Sequence, residues 1–109
     1  MAFALRCARL AESLDKGPTS QTVSRQLIRA ATSVAANYRA ACRARSKAEF
    51  ISKLGIVEEE ADEVAFWIEF AVSADLVTEH QVADLAAEGE ELLSIVVASK
   101  KTAKVSRAR

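Results

Sequence analysis

Helix-breaking residues are scarce: proline occurs once and glycine three times in 109 residues. Half of the chain is hydrophobic, with alanine the main small residue, and alanine has the best intrinsic helix propensity. The scarcity argues for an all-α domain. Histidine is scarcer still. The one copy, His80, has no glutamate three residues before it, whereas a di-metal centre in a helical bundle needs Glu-x-x-His segments on facing helices. The acids Glu58, Glu59, Glu60, Asp62, Glu63 and Glu69 scatter around one helix instead of converging. Cys7 and Cys42 lack C-x-x-C or zinc-like spacing and an evident histidine base, so they read as free, partly buried thiols of a reducing cytoplasm. Three dispersed glycines form no phosphate-cradling loop. No catalytic residue, metal ligand or cofactor is expected, and the chain reads as non-enzymatic.

Long apolar runs are missing too. No stretch approaches the roughly 18 residues that a spanning helix needs, so no membrane partner is expected. The first ten residues are amphipathic and lack the uninterrupted apolar region of a signal peptide. A single domain of this length buries roughly two-thirds of its unfolded surface, enough for a core without staples. Basic residues are absent from one long segment: residues 58–99 carry twelve acids and no Lys or Arg. Residues 1–57 hold ten basic residues against three acids, and residues 100–109 add five more positive charges, for a net charge of zero. Either basic and acidic helices neutralise one another side by side, or the basic half forms a surface for nucleic acid.

What is present is helical periodicity. Phe3, Cys7, Leu10 and Leu14 share one face of a first helix, which Gly17 (in the left-handed conformation) and Pro18 are expected to end. Thr19 or Ser20 then caps a second helix running to about Ala44, about 38 Å long. Its core face is Val23, Leu27, Ala30, Val34 and Ala41, and a second, small-residue stripe joins Ser24, Ile28, Ala35 and Cys42. Ser46 and Glu49 form a capping-box pattern that opens a third helix. There Phe50, Leu54, Val57, Ala61, Val64, Ile68 and Ala71 alternate at four and three, the seam of a left-handed bundle. Thr78 and Gln81 repeat the capping pattern before a fourth helix, with Val82, Leu85, Ala86, Gly89, Leu92, Leu93 and Val96 on one face, ending near Ser99. Close packing would be the reason for Gly89. The expected architecture is an antiparallel up-down-up-down four-helix bundle over residues 1–101, followed by a basic, frayed tail at 102–109.

Three groups of residues remain as candidates for function. At about 100° per residue, Arg25, Arg29, Thr32, Ala36, Arg39 and Arg43 fall in one stripe opposite the core of the second helix. Arg45, Lys47 and Lys53 lie near it. Guanidinium groups in a row suit the tracking of phosphates; the alternative is pairing with acidic faces of the third or fourth helix. Phe66 and Phe70 point away from the seam with Trp67 beside it, an aromatic patch that marks a partner surface and points to self-association. Asn37 and Tyr38 take structural readings. Asn37 is expected to fix register through a buried hydrogen bond, and Tyr38 to reach Glu60 or Glu63 with its hydroxyl.

The segments Gln26–Arg39, Arg43–Ile56, Glu60–Glu63 and Trp67–Glu69 resemble the bacterial four-helix-bundle protein family, also called the 23S rRNA-intervening-sequence proteins. The resemblance spans about residues 20 to 101. It implies an antiparallel bundle assembled as a homopentamer, with no established enzymatic activity. The family is related to the accessory variability protein of diversity-generating retroelements, which engages nucleic acid and a reverse transcriptase through a basic surface. This chain departs from the pattern at Ala40, where Glu often follows Asn-Tyr-Arg, and in its heavier acidic run Glu58-Glu59-Glu60. The combined expectation is a cytoplasmic, non-enzymatic homo-oligomer. Its candidate partners are its own copies, RNA or DNA through the arginine stripe, or another protein. A scaffold whose charges pair between subunits is the alternative.

Overall fold

Four helices account for nearly all of the computed structural model, which describes the backbone of residues 1–108 and the side chains of residues 1–105. They are α1 (Ala2–Ser13), α2 (Pro18–Cys42), α3 (Lys47–Ser73) and α4 (Glu79–Ala108), and no strand occurs among the described residues. Each buries the face that its periodicity marks. α1 contributes Phe3, Ala4, Cys7 and Ala11; α2 contributes Val23, Leu27, Ala30, Ala31, Val34 and Ala41. The α3 seam from Leu54 to Ala71 is buried throughout, with Phe50 packed half-exposed at its start. Val82, Leu85 and Val96 complete the core from α4, flanked by half-buried Ala86, Leu92 and Leu93. Packing joins α1 to α2, α2 to α3, α3 to α4 and α1 to α4, in a body of 52 × 21 × 19 Å.

The α1–α2 junction differs from the sequence expectation. The chain leaves α1 at Leu14 in extended conformation, and Gly17 is not left-handed. Gly17 is instead the N-cap of α2, at φ −68° and ψ 165°, and Pro18 takes the first helical position. Proline's fixed φ is preset for that place and its missing N–H needs no cap, so the helix starts ahead of both hydroxyls and neither Thr19 nor Ser20 caps it. Asp15 Oδ1 accepts the Gly17 N–H at 2.8 Å. That bond, with the neighbouring Ser20 hydroxyl, lowers the Asp15 carboxyl below its ordinary range. The Ser20 hydroxyl is itself buried and meets no partner at full hydrogen-bond geometry. Across the junction Ser24 Oγ donates to the Ala11 carbonyl at 2.9 Å, which fixes α1 beside α2.

The two later caps follow the sequence closely. Ser46 Oγ accepts the Glu49 N–H at 3.1 Å, and in front of α4 the box closes in both directions. There Thr78 Oγ1 accepts from Gln81 N–H at 3.2 Å and Gln81 Oε1 accepts from Thr78 N–H at 2.8 Å. α3 ends in a Schellman motif on a non-glycine residue: Asp75 has φ 60°. Its N–H donates to Val72 O at 3.0 Å, and Leu76 N–H donates to Ala71 O at 2.9 Å. A Cβ on Gly89 would lie 3.4 Å from Phe3 Cζ, an ordinary van der Waals contact, so α1 packs beside α4 here but the packing does not require glycine.

α4 also continues past Ser99 to Ala108, where an end to the helix was expected. Ala, Lys and Arg keep high helix propensity without a buried face, so lost apolar periodicity is no stop signal. Lys100 in this stretch pairs with Glu58 of α3 at 3.0 Å. The side chains of residues 106–109 of the expected basic tail lie outside the described residues. No helix among the described residues is long and apolar enough to cross a membrane.

Candidate nucleic-acid interface

The arginine stripe lies where the helical period puts it, on the side of α2 turned away from its buried residues. Arg25, Arg29, Arg39 and Arg43 are all exposed, and Thr32 and Ala36 between them are exposed and small. From Arg25 to Arg43 the stripe runs about 27 Å at the helical rise. Arg45, in the α2–α3 connection, and Lys47, the first residue of α3, are exposed at its end. Lys53 is half-buried.

The arginines are not equivalent. Arg29 Nη1 lies 3.0 Å from Glu60 Oε2, its Nη2 bonds Glu63 Oε1, and its Nε donates to Gln26 Oε1 at 3.0 Å. Glu63 also accepts the Trp67 indole N–H at 3.3 Å. The bond from Arg29, helped by that from Trp67, holds the Glu63 carboxyl below its usual range, and the same contact raises Arg29 further. Among the described residues, Arg25, Arg39, Arg43 and Arg45 have no ion pair. One of the four stripe charges is thus neutralised from α3, and three face solvent.

Glu60, Glu63 and Trp67 were legible as a set only in part. They repeat at three and four beside the α3 seam, the signal of a flank against a neighbouring helix, but choosing α2 as that neighbour required the fold. Two further ion pairs link helices, Arg6 with Glu88 and Lys100 with Glu58.

On the outer side of α3, Phe66 and Phe70 are 52% and 39% exposed. With half-buried Trp67 they form a cluster with ring centroids 4.9, 5.7 and 6.1 Å apart. Three aromatic rings in mutual contact and open to solvent form a contiguous apolar patch, tied through Trp67 and Glu63 to Arg29.

The two structural polar expectations on α2 need correcting. Asn37 makes no bond to another helix: its Nδ2 donates to Ser33 O at 2.9 Å and to Ser33 Oγ at 3.1 Å, within its own turn. A side chain one turn past a serine finds that residue's carbonyl and hydroxyl within reach before any partner on another helix. Tyr38 does not reach Glu60 or Glu63, which are held by Arg29; it stands 44% exposed. Its exposure follows from the length of α1. Ala11 is pinned to Ser24, and Tyr38 lies about 21 Å along α2 from that point, whereas α1 extends only about 14 Å beyond Ala11. No part of α1 covers the Tyr38 ring, and Cys42 one turn on is exposed for the same reason. Cys7, by contrast, is fully buried, and burial pushes its thiol up to about 11, which keeps it protonated and unreactive near neutral pH. No group of three or more metal-ligating side chains occurs among the described residues.

Comparison with known proteins adds a family. A family model described as 23S rRNA-intervening sequence protein matches residues 1–98, so the match includes α1 as well as the segments that carried the resemblance. A solved structure is also similar: a protein of unknown function from the S23 ribosomal protein family of Bacteroides thetaiotaomicron. It superposes with a TM-score of 0.82 at 29% identity, covering 92% of this chain and 93% of that one. No curated protein matches the chain.

Proposed function

This chain belongs to the 23S rRNA-intervening sequence protein family, and on that premise we propose that it is a non-enzymatic, cytoplasmic accessory protein that associates with nucleic acid through the arginine stripe of α2. One observation carries the reading. Arg25, Arg39 and Arg43 are exposed and have no carboxylate partner among the described residues, although the chain holds as many acids as bases. Charges left unpaired along one helix are available to phosphates, and guanidinium groups bind phosphate through a planar fork of donors. The contact assigned to the stripe is to the phosphate backbone, since neither RNA-recognition aromatics nor zinc-finger spacing points to base readout.

The assembly belongs to the same proposal. The four helices run up-down-up-down, supported by the short connections and by the ion pairs between neighbouring helices. Copies associate through Phe66, Trp67 and Phe70 into a homopentamer, which repeats a modest stripe five times and gains by multivalency what one copy lacks.

Titration of RNA and DNA at two salt concentrations tests the reading. Binding that weakens steeply with salt supports it; no binding at low salt, or binding indifferent to salt, refutes it. The pairing of Arg29 with Glu60 and Glu63 favours a second reading, in which the stripe meets the acidic faces of neighbouring subunits and the protein is an interaction scaffold. On that reading high salt dissociates the oligomer and nucleic acid does not bind.

A further inference from the structure

The segment between Glu58 and Ser99 contains twelve carboxylates and no Lys or Arg, with His80 its one histidine. Four of them are spent inside the protomer: Glu58 on Lys100, Glu60 and Glu63 on Arg29, and Glu88 on Arg6. Three of the others, Glu69, Glu79 and Glu90, stand on the rim of one groove between the C-terminal half of α3 and the N-terminal half of α4. None has an ion pair among the described residues. The groove holds about 760 Å³, and small side chains, Ala65, Ala83 and Ala86, line it between the rims. From Glu79 to Glu90 it runs about 16 Å, three helical turns.

We propose that this groove docks a cationic helix of a partner protein. Small residues between two parallel ridges let another helix axis come close, and carboxylates on both walls place negative charge where lysines or arginines on the edges of a seated helix would lie. The repulsion between these carboxylates and phosphate keeps nucleic acid away, so this surface is separate from the α2 stripe and does not depend on it. Within the protomer the groove is not filled by the chain's own cations: α2 packs against α1 and α3, and Lys100 is bound to Glu58. Recognition of this kind, an amphipathic helix laid in a groove, is a recurrent mode of protein association.

The test uses a fluorescent synthetic peptide of Lys, Ala and Leu, about five helical turns long, with lysines along both edges of an alanine face. Its anisotropy is followed on titration with the intact protein. Binding is expected, and the triple variant Glu69→Gln, Glu79→Gln, Glu90→Gln weakens it about tenfold, the sum of three modest surface ion pairs. Ala83→Trp, at an exposed position where a ring fills the groove without entering the core, weakens it comparably with all carboxylates intact. Removing three acids elsewhere on the same helices (Glu59→Gln, Asp62→Asn, Glu91→Gln) leaves affinity within about twofold. Equal weakening by those three, or equal binding of a proline-interrupted peptide of the same composition, overturns the proposal, because charge alone then explains the binding. Self-association of the wild type that the groove variants abolish also overturns it, since the occupant is then a second copy.

Discussion

Replacing Arg25, Arg39 and Arg43 by glutamine removes the three stripe charges that have no ion pair among the described residues, and their number sets the size of the effect. Each phosphate neutralised contributes about 0.9 to the slope of log affinity against log salt on duplex DNA and about 0.7 on a single strand. Three contacts therefore supply a slope of about 2.7 or 2.1 for each protomer engaged. Between about 50 and 200 mM salt, a fourfold change, that part of the affinity falls by about 40-fold on duplex and about 20-fold on single strands. The triple variant should lose this salt dependence. Arg29 behaves differently, because its guanidinium is already held by Glu60 and Glu63. Arg29→Gln should change the slope by clearly less than one phosphate's worth. Freeing it with Glu60→Gln and Glu63→Gln should steepen the slope by about 0.7 to 0.9 and raise affinity. The assay is a fluorescence titration of labelled RNA and DNA across a salt series. A triple variant with the wild-type slope, or four arginines that contribute equally, refutes the assignment.

The cap of α3 gives a stability test: Asp75→Gly removes the cost of holding a side chain at φ 60° and should stabilise the protein by about 0.5–1 kcal/mol, raising the urea midpoint at unchanged slope. A lower midpoint would show that the Asp75 side chain contributes more than its conformation costs. The Arg29 contacts hold the Glu63 carboxyl below its unfolded value, so its contribution is complete above the ordinary carboxylate range and is lost as pH falls through the lowered value. Arg29→Gln should accordingly move the acid-unfolding midpoint to higher pH, and an unchanged midpoint would mean that this contact adds nothing. Light scattering on wild type and on Phe66→Asp or Phe70→Asp tests assembly: the wild type should be oligomeric and the variants smaller, and a monomeric wild type would sink the aromatic interface.

The parts of the fold that were legible in the sequence are those where one local rule acts alone. The α3 seam repeats at four and three without a competitor, and Ser46–Glu49 and Thr78–Gln81 each close within four residues. The stripe was legible as a direction, because a helix with one buried face fixes where the opposite face points. The failures have separate causes. At Gly17-Pro18 two rules competed, glycine as a helix end and proline as a helix start, and proline prevailed because its φ is fixed while glycine's is free. Asn37 failed for a local reason, the partners that Ser33 offers in its own turn, and Tyr38 for a non-local one. Their positions around α2 were read correctly, but a flank is covered only if another helix reaches it, and α1 stops short of Tyr38.

The same distinction bears on the charges. From sequence, pairing of the arginines with acids and exposure to phosphate stood as alternatives for the stripe as a whole. The structure divides the stripe. Arg29 alone lies where α3 presents two carboxylates at the spacing of one turn, and the acids beyond Glu63 turn toward α4 or the outer face and leave the other arginines unmatched. A chain of zero net charge thus keeps two surfaces of opposite sign on different helices, linked through the α2–α3 packing and not cancelled by it. Complete neutralisation would require the acidic and basic faces to meet in register along their length. Along the stripe they meet at Arg29, with separate pairs at Arg6–Glu88 and Lys100–Glu58, so Arg25, Arg39 and Arg43 on one side and Glu69, Glu79 and Glu90 on the other keep their charge without an ion pair among the described residues.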